Sequence, residues 1–247
     1  MMGDRGLTFY GKGLAEIHGQ HHESWLRPAF PWLLEICGQA MTGASGLLVD
    51  LGCGQGQWLA HVKEQGLECL GLDRSEAFAR AAAGRGLPVL VGNARSLPVK
   101  SANVFTAFGE VLSYLAAGEE ALRPLENLLS LSEAVRPGGR ILADLMVRED
   151  LMVLPGAREQ RGLDSTGRDW HLKTVVRLYD NDRRLVREIE AVTADGTIKE
   201  RHVQGLIDTG EALEILREHG LDVQTSNHWG PVRLMPGRKA FLVRRRG

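Results

Sequence analysis

The chain has few cysteines and almost no net charge. Its 247 residues include three cysteines, and 30 Lys and Arg side chains nearly balance 31 Asp and Glu side chains. Three irregularly spaced cysteines make neither a disulfide framework nor a four-cysteine zinc site, so we expect a reducing, cytoplasmic compartment. A formal net charge of -1 argues against a nucleic-acid coat or a polybasic membrane binder.

Long apolar runs and low-complexity tracts are also missing. No segment approaches the roughly 18 uninterrupted apolar residues of a membrane-spanning helix, and the first residues carry no apolar stretch typical of a secretory signal. We therefore expect no association with a membrane. A hydrophobic content of 43% and a charged content of 25% are instead typical of a globular protein with a core.

Apolar strand-like segments alternate with helical segments in the middle of the chain. Strands are predicted at 47–51, 69–72, 89–91, 104–108 and 141–145, and helices at 57–65, 75–83 and 119–135. Parallel strands need crossover connections, which are usually helices. The alternation therefore predicts an α/β fold with a Rossmann-like, doubly wound sheet.

A different pattern follows this region. Residues 170–179 alternate between apolar and polar side chains, and turn signals at 180–182 and 195–196 introduce two further strands. This pattern predicts a three-stranded antiparallel insertion. A last helix ending near His219 and two final strands at 221–225 and 239–243 complete the prediction.

These patterns divide the chain into four parts. Residues 1–46 are interpreted as an N-terminal lid and helix, and 47–164 as the Rossmann-like core. Residues 165–206 are the antiparallel insertion, and 207–247 are the end of the core domain.

The segment after the first predicted strand is rich in glycine and begins next to a carboxylate. Gly52, Gly54 and Gly56 follow Asp50, so the backbone there can approach a ligand closely at the carboxyl end of a parallel strand. Asp73 lies about 20 residues further on, at the end of the second strand, where it can accept hydrogen bonds from two ribose hydroxyls. Together these features predict a nucleotide-containing cofactor.

The same loop argues against a dinucleotide. The fingerprint G-x-G-x-x-G would need a third glycine where Gln57 stands, and Asp50 would repel a pyrophosphate. S-adenosylmethionine has no phosphate, and its sulfonium and α-ammonium groups would be attracted by a carboxylate. The alternative, a glycine-rich turn without a ligand, does not account for the placement of Asp73.

Five runs carry a resemblance to a known family. VDLGCGQGQ, LGLDRSE, GNARSLP, FGEVLSYL and VRPGGRILADL occur in this order over residues 47–145. In these runs the chain resembles the class I S-adenosylmethionine-dependent methyltransferases, particularly those that act on small molecules. The resemblance implies an enzyme with a seven-stranded, mostly parallel sheet whose last strand is antiparallel, and S-adenosylhomocysteine as the product of its cofactor. The insertion at 165–206 resembles an extra antiparallel layer that walls the acceptor pocket in relatives, and 47–164 would then be the cofactor-binding core. A homodimer contact or a stabilising role is the alternative for the insertion, and the sequence leaves these open.

The resemblance also implies which residues hold the cofactor. It places Asp50, Gly52, Cys53, Gly54 and Gly56 near the methionine and ribose, Asp73, Arg74, Asn93 and Ala94 near the ribose hydroxyls and adenine, and Gly109 and Leu112 after the fourth strand. Asn93 stands where the family often has Asp. An amide oxygen can still accept from the adenine amino group, so we expect altered or weaker adenine contacts there.

Methyl transfer can proceed by holding acceptor and cofactor in line, so no catalytic side chain is strictly required. Where the acceptor must lose a proton, a base is needed. The main candidates are Tyr10, which resembles a family position that closes over the cofactor, His18, and Glu110, which follows a cofactor-facing position; the others are His21, His22, His171 and His202. An ordinary structural role is the alternative for each.

Neither a metal site nor a nucleic-acid site is expected. His18 and His22 could share a helical face, but no third ligand accompanies them. The fourth strand ends in AFGEVL and lacks the Asn/Asp-Pro-Pro-Tyr type of tetrapeptide that holds planar base amino groups, and no basic stripe with aromatics is present. Trp229 could line an acceptor pocket, although packing is an equally ordinary role for it.

We therefore expect a methyl group to be transferred to a nitrogen or oxygen of a small molecule. Two alternatives remain open. The chain could bind S-adenosylmethionine as a sensor or scaffold without turnover, or it could methylate RNA or protein with the help of a partner subunit.

Overall fold

The computed structural model describes residues 23–41, 46–116, 118–149, 155–164 and 166–246, together with Leu14, Ile17 and Leu151. The helices are α1 (Phe30–Gly38), α2 (Gln57–Glu64), α3 (Glu76–Gly84), α4 (Arg123–Ala134) and α5 (Thr209–Glu218), and short 3-10 helices cover Glu23–Ala29 and Val111–Ser113. None of the helices in these ranges is both long and apolar enough to cross a membrane.

The strands in chain order are β1 (Leu47–Leu51), β2 (Glu68–Asp73), β3 (Val89–Val91), β4 (Ala102–Ala107), β5 (Val135–Met146), β6 (Gly156–Leu163), β7 (Asp169–Tyr179), β8 (Arg184–Thr193), β9 (Gly196–Gly205), β10 (Leu221–Ser226), β11 (His228–Trp229), β12 (Val232–Arg233) and β13 (Arg238–Arg245). Seven of them form the central sheet, in the order β10-β13-β5-β4-β1-β2-β3. β13 runs antiparallel to both of its neighbours, whereas β1 to β5 pair in parallel. The predicted seven-stranded, mostly parallel sheet with an antiparallel last strand is confirmed.

Helices cover both faces of this sheet. Because alternate residues of a strand point to opposite faces, Val49 belongs to one core cluster and Leu48 to the other. Leu128 of α4 and Leu216 of α5 complete the first cluster, and Leu59 of α2 belongs to the second. The chain order reverses beside β1, between β2 on one side and β4 on the other, and this is where doubly wound sheets bind ligands.

The antiparallel insertion has four strands, β6 to β9, and not the three that the sequence predicted. The missing strand is β6, which begins at Gly156, inside the segment assigned to the core. Its side chains are almost all exposed, so the run GAREQRGL has no apolar periodicity to reveal it. Apolar and polar residues alternate along a strand when one of its two faces is buried. β6 lies at the sheet edge and buries neither of its faces, so it shows no such alternation.

One face of this second sheet, here called its inner face, is turned toward the rest of the chain. Trp170, Leu172 and Ala191 on the inner face form a small core cluster with Leu14 and Ile17. The N-terminal segment therefore reaches the antiparallel sheet. β9 forms the edge of this sheet opposite β6, and it contacts the central domain. The Leu115 N–H donates to the Val203 carbonyl of β9 at 2.8 Å.

Candidate active site

A cleft opens at the carboxyl ends of β1, β2 and β4. Its described lining includes the predicted cofactor residues Asp50, Gly52, Cys53, Gly54, Asp73, Arg74, Asn93, Ala94, Gly109 and Leu112. The structure thus brings together residues that are far apart in the sequence. What each of them does toward a cofactor stays a prediction.

The glycine-rich turn after β1 can be made only with glycine at its first position. Gly52 has a φ of 65°, in the left-handed region. A Cβ atom at this position would lie 2.3 Å from Cγ2 of Val111, which itself lines the cleft. Gly54 is also left-handed, with a φ of 55°. The turn is therefore free of side-chain bulk and packs directly against the segment that follows β4.

Gly56 serves the fold and is not among the described lining residues. It precedes α2 with a φ of 80°. A Cβ atom there would come within 2.4 Å of Cδ1 of Leu87, next to Ala82 of α3. Glycine at this position allows the start of α2 to pack closely on α3.

Asp73 fastens the glycine turn to the end of β2. Its Oδ2 accepts the Gly54 N–H at 2.8 Å, and its Oδ1 accepts the Ser75 N–H at 2.7 Å. Burial raises the pKa of Asp73, and the backbone donors of Ser75 and Gly54 oppose that rise. Each carboxylate oxygen has a second lone pair, so the side chain can still accept hydrogen bonds from two ribose hydroxyls.

Asp50 is held by a chain of hydrogen bonds between neighbouring strands. The Thr106 hydroxyl donates to Asp50 Oδ1 at 2.6 Å, and Trp58 Nε1 donates to the Thr106 oxygen at 3.2 Å. Asp50 and Thr106 are paired positions of β1 and β4, which explains why their side chains meet on one face. This chain fixes both the carboxylate and the indole ring at the base of the cleft.

Four aromatic side chains, here called the aromatic wall, line one side of the cleft: Trp25, Phe30, Trp58 and Phe108. Ring centroids lie 5.2 Å apart for Phe30 and Trp58, and 6.0 Å apart for Trp58 and Phe108. Sequence reasoning missed all four. Trp229, the predicted pocket residue, is instead buried behind Phe108 at 5.4 Å and is not in the described lining.

Asn93 uses its side chain locally at the other end of the cleft. Its Oδ1 accepts the Arg95 N–H at 3.1 Å, which closes a turn after β3. Arg95 then reaches across the cleft to the Tyr114 carbonyl at 3.0 Å and forms an ion pair with Glu119. Arg95 and Tyr114 both line the cleft and were missed in the sequence.

Glu110 does not have the properties of a general base. Its side chain is 1% exposed and ion-paired with Arg187 and Arg238, and it accepts a hydrogen bond from Gln204. Burial alone would raise the pKa of Glu110, but the two guanidinium groups lower it to about 2. A carboxylate this acidic, with its oxygens already occupied, is a poor proton acceptor. The prediction of Glu110 as a catalytic base is therefore not supported.

The other candidate bases are not in the described lining either. His171 pairs with Glu159 at 3.2 Å on an exposed part of the antiparallel sheet. His202 is fully buried on β9 beside Glu200 at 2.8 Å, with its ring 5.6 Å from that of Tyr114. Tyr10, His18, His21 and His22 lie outside the described residues. Within the described ranges, no group of three or more His, Cys, Asp and Glu residues is arranged to hold a metal.

Residues 49–143 match the family model described as the methyltransferase domain. This segment contains most of β1, all of β2 to β4 and most of β5, with the glycine turn and Asp73. Together with the fold, the match confirms the predicted class. The chain contains a class I S-adenosylmethionine-dependent methyltransferase domain, and it is an enzyme whose cofactor is S-adenosylmethionine.

Solved structures of low sequence identity share the whole fold. An S-adenosylmethionine-dependent methyltransferase from Clostridium acetobutylicum is 15% identical, with a TM-score of 0.73 over 95% of this chain and 98% of that chain. The sugar N-methyltransferase KedS8 from Streptoalloteichus is 17% identical, with a TM-score of 0.71 over 100% of both chains. CalS10, an amino pentose methyltransferase from Micromonospora, is 16% identical, with a TM-score of 0.71 over 96% and 98%. No curated protein sequence matches the chain.

The described residues fit this cofactor. Gly52 and Gly54 line the cleft without side chains, so the backbone of the glycine turn can approach a ligand closely. Asp50 and Asp73 supply carboxylates at two separate points of the cleft. Aromatic faces attract cations, so the aromatic wall suits a sulfonium group.

Proposed function

We propose that this enzyme methylates a small molecule, and that the accepting atom is a nitrogen. The cofactor supplies a sulfonium methyl group, whose transfer by in-line displacement needs chiefly that the two reactants be held together. The observation that carries the proposal is the composition of the cleft. One side is aromatic, and none of the described lining residues is a His, Lys or Glu.

A cleft of this composition favours nitrogen over oxygen as the acceptor. A neutral amine already carries the lone pair that attacks, whereas a hydroxyl group must lose its proton to a base. An amine also becomes cationic when it is methylated, and aromatic faces stabilise a cation by about 0.5 to 2 kcal/mol. An oxygen acceptor is the second candidate. Its base would have to be Tyr114 or a residue outside the described lining, since Asp50 and Asp73 are assigned to the cofactor.

The solved structures support a small nitrogen acceptor without identifying it. KedS8 is described as a sugar N-methyltransferase and CalS10 as an amino pentose methyltransferase. Both cover nearly all of this chain, the antiparallel sheet included. We therefore propose an amino group on a small polar molecule.

Different residues of the cleft would bind different groups of the cofactor. Asp73 would accept hydrogen bonds from the ribose hydroxyls, and Asp50 would pair with the α-ammonium group. Arg74, Asn93 and Ala94 would lie along the adenine, with the altered contacts that the local turn at Asn93 imposes. Gly109 and Leu112 would contact the cofactor from the segment after β4, with Cys53 and Gly54 opposite them.

We propose that the antiparallel sheet walls the acceptor pocket, and that the chain divides into an N-terminal lid, a cofactor-binding core and this sheet. Two polar side chains on its inner face support this assignment. The ring of His202 lies 5.6 Å from that of Tyr114, which lines the cleft, and Gln204 donates a hydrogen bond to Glu110. A homodimer contact through the same sheet is the alternative. Sedimentation velocity at several protein concentrations tests it, because a dimer would shift the sedimentation coefficient as the chain associates.

Titration calorimetry tests the cofactor cleft directly. We expect S-adenosylmethionine and S-adenosylhomocysteine to bind with a stoichiometry of one, and NAD, which carries a pyrophosphate, not to bind. The matched variant is Gly52→Val, which fills the turn and should abolish binding. A wild-type chain that binds NAD as tightly as S-adenosylmethionine would refute the assignment.

The acceptor is tested by incubating cell lysate with S-adenosylmethionine that carries a radioactive methyl group. The expected result is label in the small-molecule fraction, on a product that cation exchange retains and that alkali does not release, because an N-methyl group resists alkaline hydrolysis and a methyl ester does not. Label in protein or RNA would instead favour the partner-dependent alternative. Tight cofactor binding without any labelled product would favour a sensor or scaffold.

A further inference from the structure

Glu110 lies at the junction of the two sheets. Its carboxylate pairs with Arg187 of β8, at 2.8 Å from Oε2 to Nη1 and 3.2 Å from Oε1 to Nη2. It also pairs with Arg238 at the start of β13 and accepts a hydrogen bond from Gln204 of β9. One side chain of the central domain is thus tied to two strands of the antiparallel sheet.

The backbone at Glu110 has a conformation that its surroundings must maintain. Its φ is 65°, in the left-handed region that residues other than glycine rarely adopt, and Gly109 before it has a φ of 82°. The N–H groups of both residues donate to the Asp144 carboxylate of β5, each at 2.9 Å. Strained residues of this kind persist only where neighbouring groups hold them.

The segment that Glu110 begins is part of the cofactor cleft. Val111, Leu112 and Tyr114 line the cleft, whereas Glu110 is not in its described lining. Val111 packs so closely on the glycine turn that any Cβ atom at Gly52 would meet it at 2.3 Å. A displacement of residues 109–114, here called the junction loop, would therefore be transmitted to the glycine turn.

We infer that Glu110 is a positioning residue, whose ion pairs with Arg187 and Arg238 hold the junction loop in the shape that binds the cofactor. Cofactor affinity then depends on the antiparallel sheet, although Arg187 is not in the described lining of the cleft. This inference rests on the proposed cofactor cleft. A purely structural role would stabilise the fold without changing the affinity of the folded protein.

The test is a double-mutant cycle on the dissociation constant for S-adenosylmethionine, with Glu110→Gln, Arg187→Met and both together. Calorimetry is run at a temperature at which circular dichroism shows every variant to be folded. Each single substitution should weaken binding about tenfold, which corresponds to about 1.4 kcal/mol. The double variant should bind S-adenosylmethionine no more weakly than Glu110→Gln, because that substitution already removes the ion pair with Arg187.

Arg187→Lys and Leu216→Ala are the matched controls. Arg187→Lys keeps the positive charge and should recover most of the affinity that Arg187→Met loses. Leu216 of α5 is fully buried in the core cluster on the α4 and α5 side. Leu216→Ala should lower the melting temperature as much as the junction variants do, but should leave the dissociation constant within twofold.

Two results would overturn the inference. One is wild-type affinity in folded Arg187→Met, which also decides the matter if Glu110→Gln does not fold. The other is a loss of affinity in Leu216→Ala equal to that in the junction variants. Failure of the proposed cofactor cleft is recognised separately, because the wild-type chain would then not bind S-adenosylmethionine at all.

Discussion

Replacement of Asp73 by Asn is expected to weaken both the fold and the cofactor site. The wild-type carboxylate accepts one backbone N–H on each oxygen, from Gly54 and from Ser75. Asn offers one oxygen, so its amide group must face one of these donors. Hydrogen bonds to a charged group are worth about 1.5 to 3 kcal/mol each, and Asp73 is only 7% exposed. We therefore expect the free energy of unfolding to fall by about 1.5 to 3 kcal/mol.

Asp73→Ala removes both acceptors. The loss should be larger, with an upper bound of about 3 to 6 kcal/mol for two bonds, reduced where water replaces the carboxylate. The glycine turn then loses its attachment to β2, so we expect the affinity for S-adenosylmethionine to fall by more than tenfold. A substitution that only deleted a ribose contact would leave the stability of the free protein unchanged.

Urea unfolding followed by tryptophan fluorescence measures the free energy of unfolding. Calorimetry measures the affinity for S-adenosylmethionine. Asp222→Asn is the matched control, because Asp222 is an exposed residue of β10 paired with Arg246. It should change stability by no more than about 0.5 kcal/mol. Wild-type stability in Asp73→Asn would show that the hydrogen bonds of Asp73 do not hold the glycine turn in place.

Three further predictions concern the same cleft. Because ion pairs lower the pKa of Glu110 from 4.5 to about 2, its contribution to stability is present above pH 4.5 and is lost as the pH falls toward 2. This shift corresponds to roughly 3 kcal/mol, and Glu110→Gln should lack that part of the acid transition in unfolding curves; parallel curves would contradict the ion pairs. Gly52→Ala should destabilise the chain by about 2 to 4 kcal/mol through backbone strain and contact with Val111, and a wild-type melting temperature would show that the turn can relax. Thr106→Val keeps the shape but removes the hydroxyl that joins Asp50 to Trp58, so we expect the free energy of unfolding to fall by about 1 to 3 kcal/mol and cofactor binding to weaken; unchanged affinity in calorimetry would mean that the chain of hydrogen bonds does not orient Asp50.

The features predicted correctly from the sequence are local ones. The glycine turn, the position of Asp73 at the end of β2 and the alternation of strands with helices can each be read within short segments, because they depend on local backbone conformation and hydrophobic period. Family resemblance added the number of strands and the antiparallel direction of the last one. β6 was missed because an edge strand with two exposed faces has no apolar period.

The aromatic wall and the partners of Glu110 could not have been predicted in this way. Trp25 and Phe30 come from the segment before β1, Trp58 from α2 and Phe108 from the end of β4. No spacing in the sequence relates these segments. The role of Glu110 likewise depends on β8, β9 and β13, all of which follow it in the chain. Such contacts become visible only once tertiary packing is known.

The two edges of the antiparallel sheet face different surroundings. β9 meets the central domain, and β6 faces solvent with Arg158, Glu159 and Arg161 along its length. An exposed strand edge is a template on which another chain can add, and charged side chains are a common means of preventing this. Neutral, β-branched replacements along β6 would remove that barrier, so they should make the protein aggregate when concentrated even though no buried contact is lost.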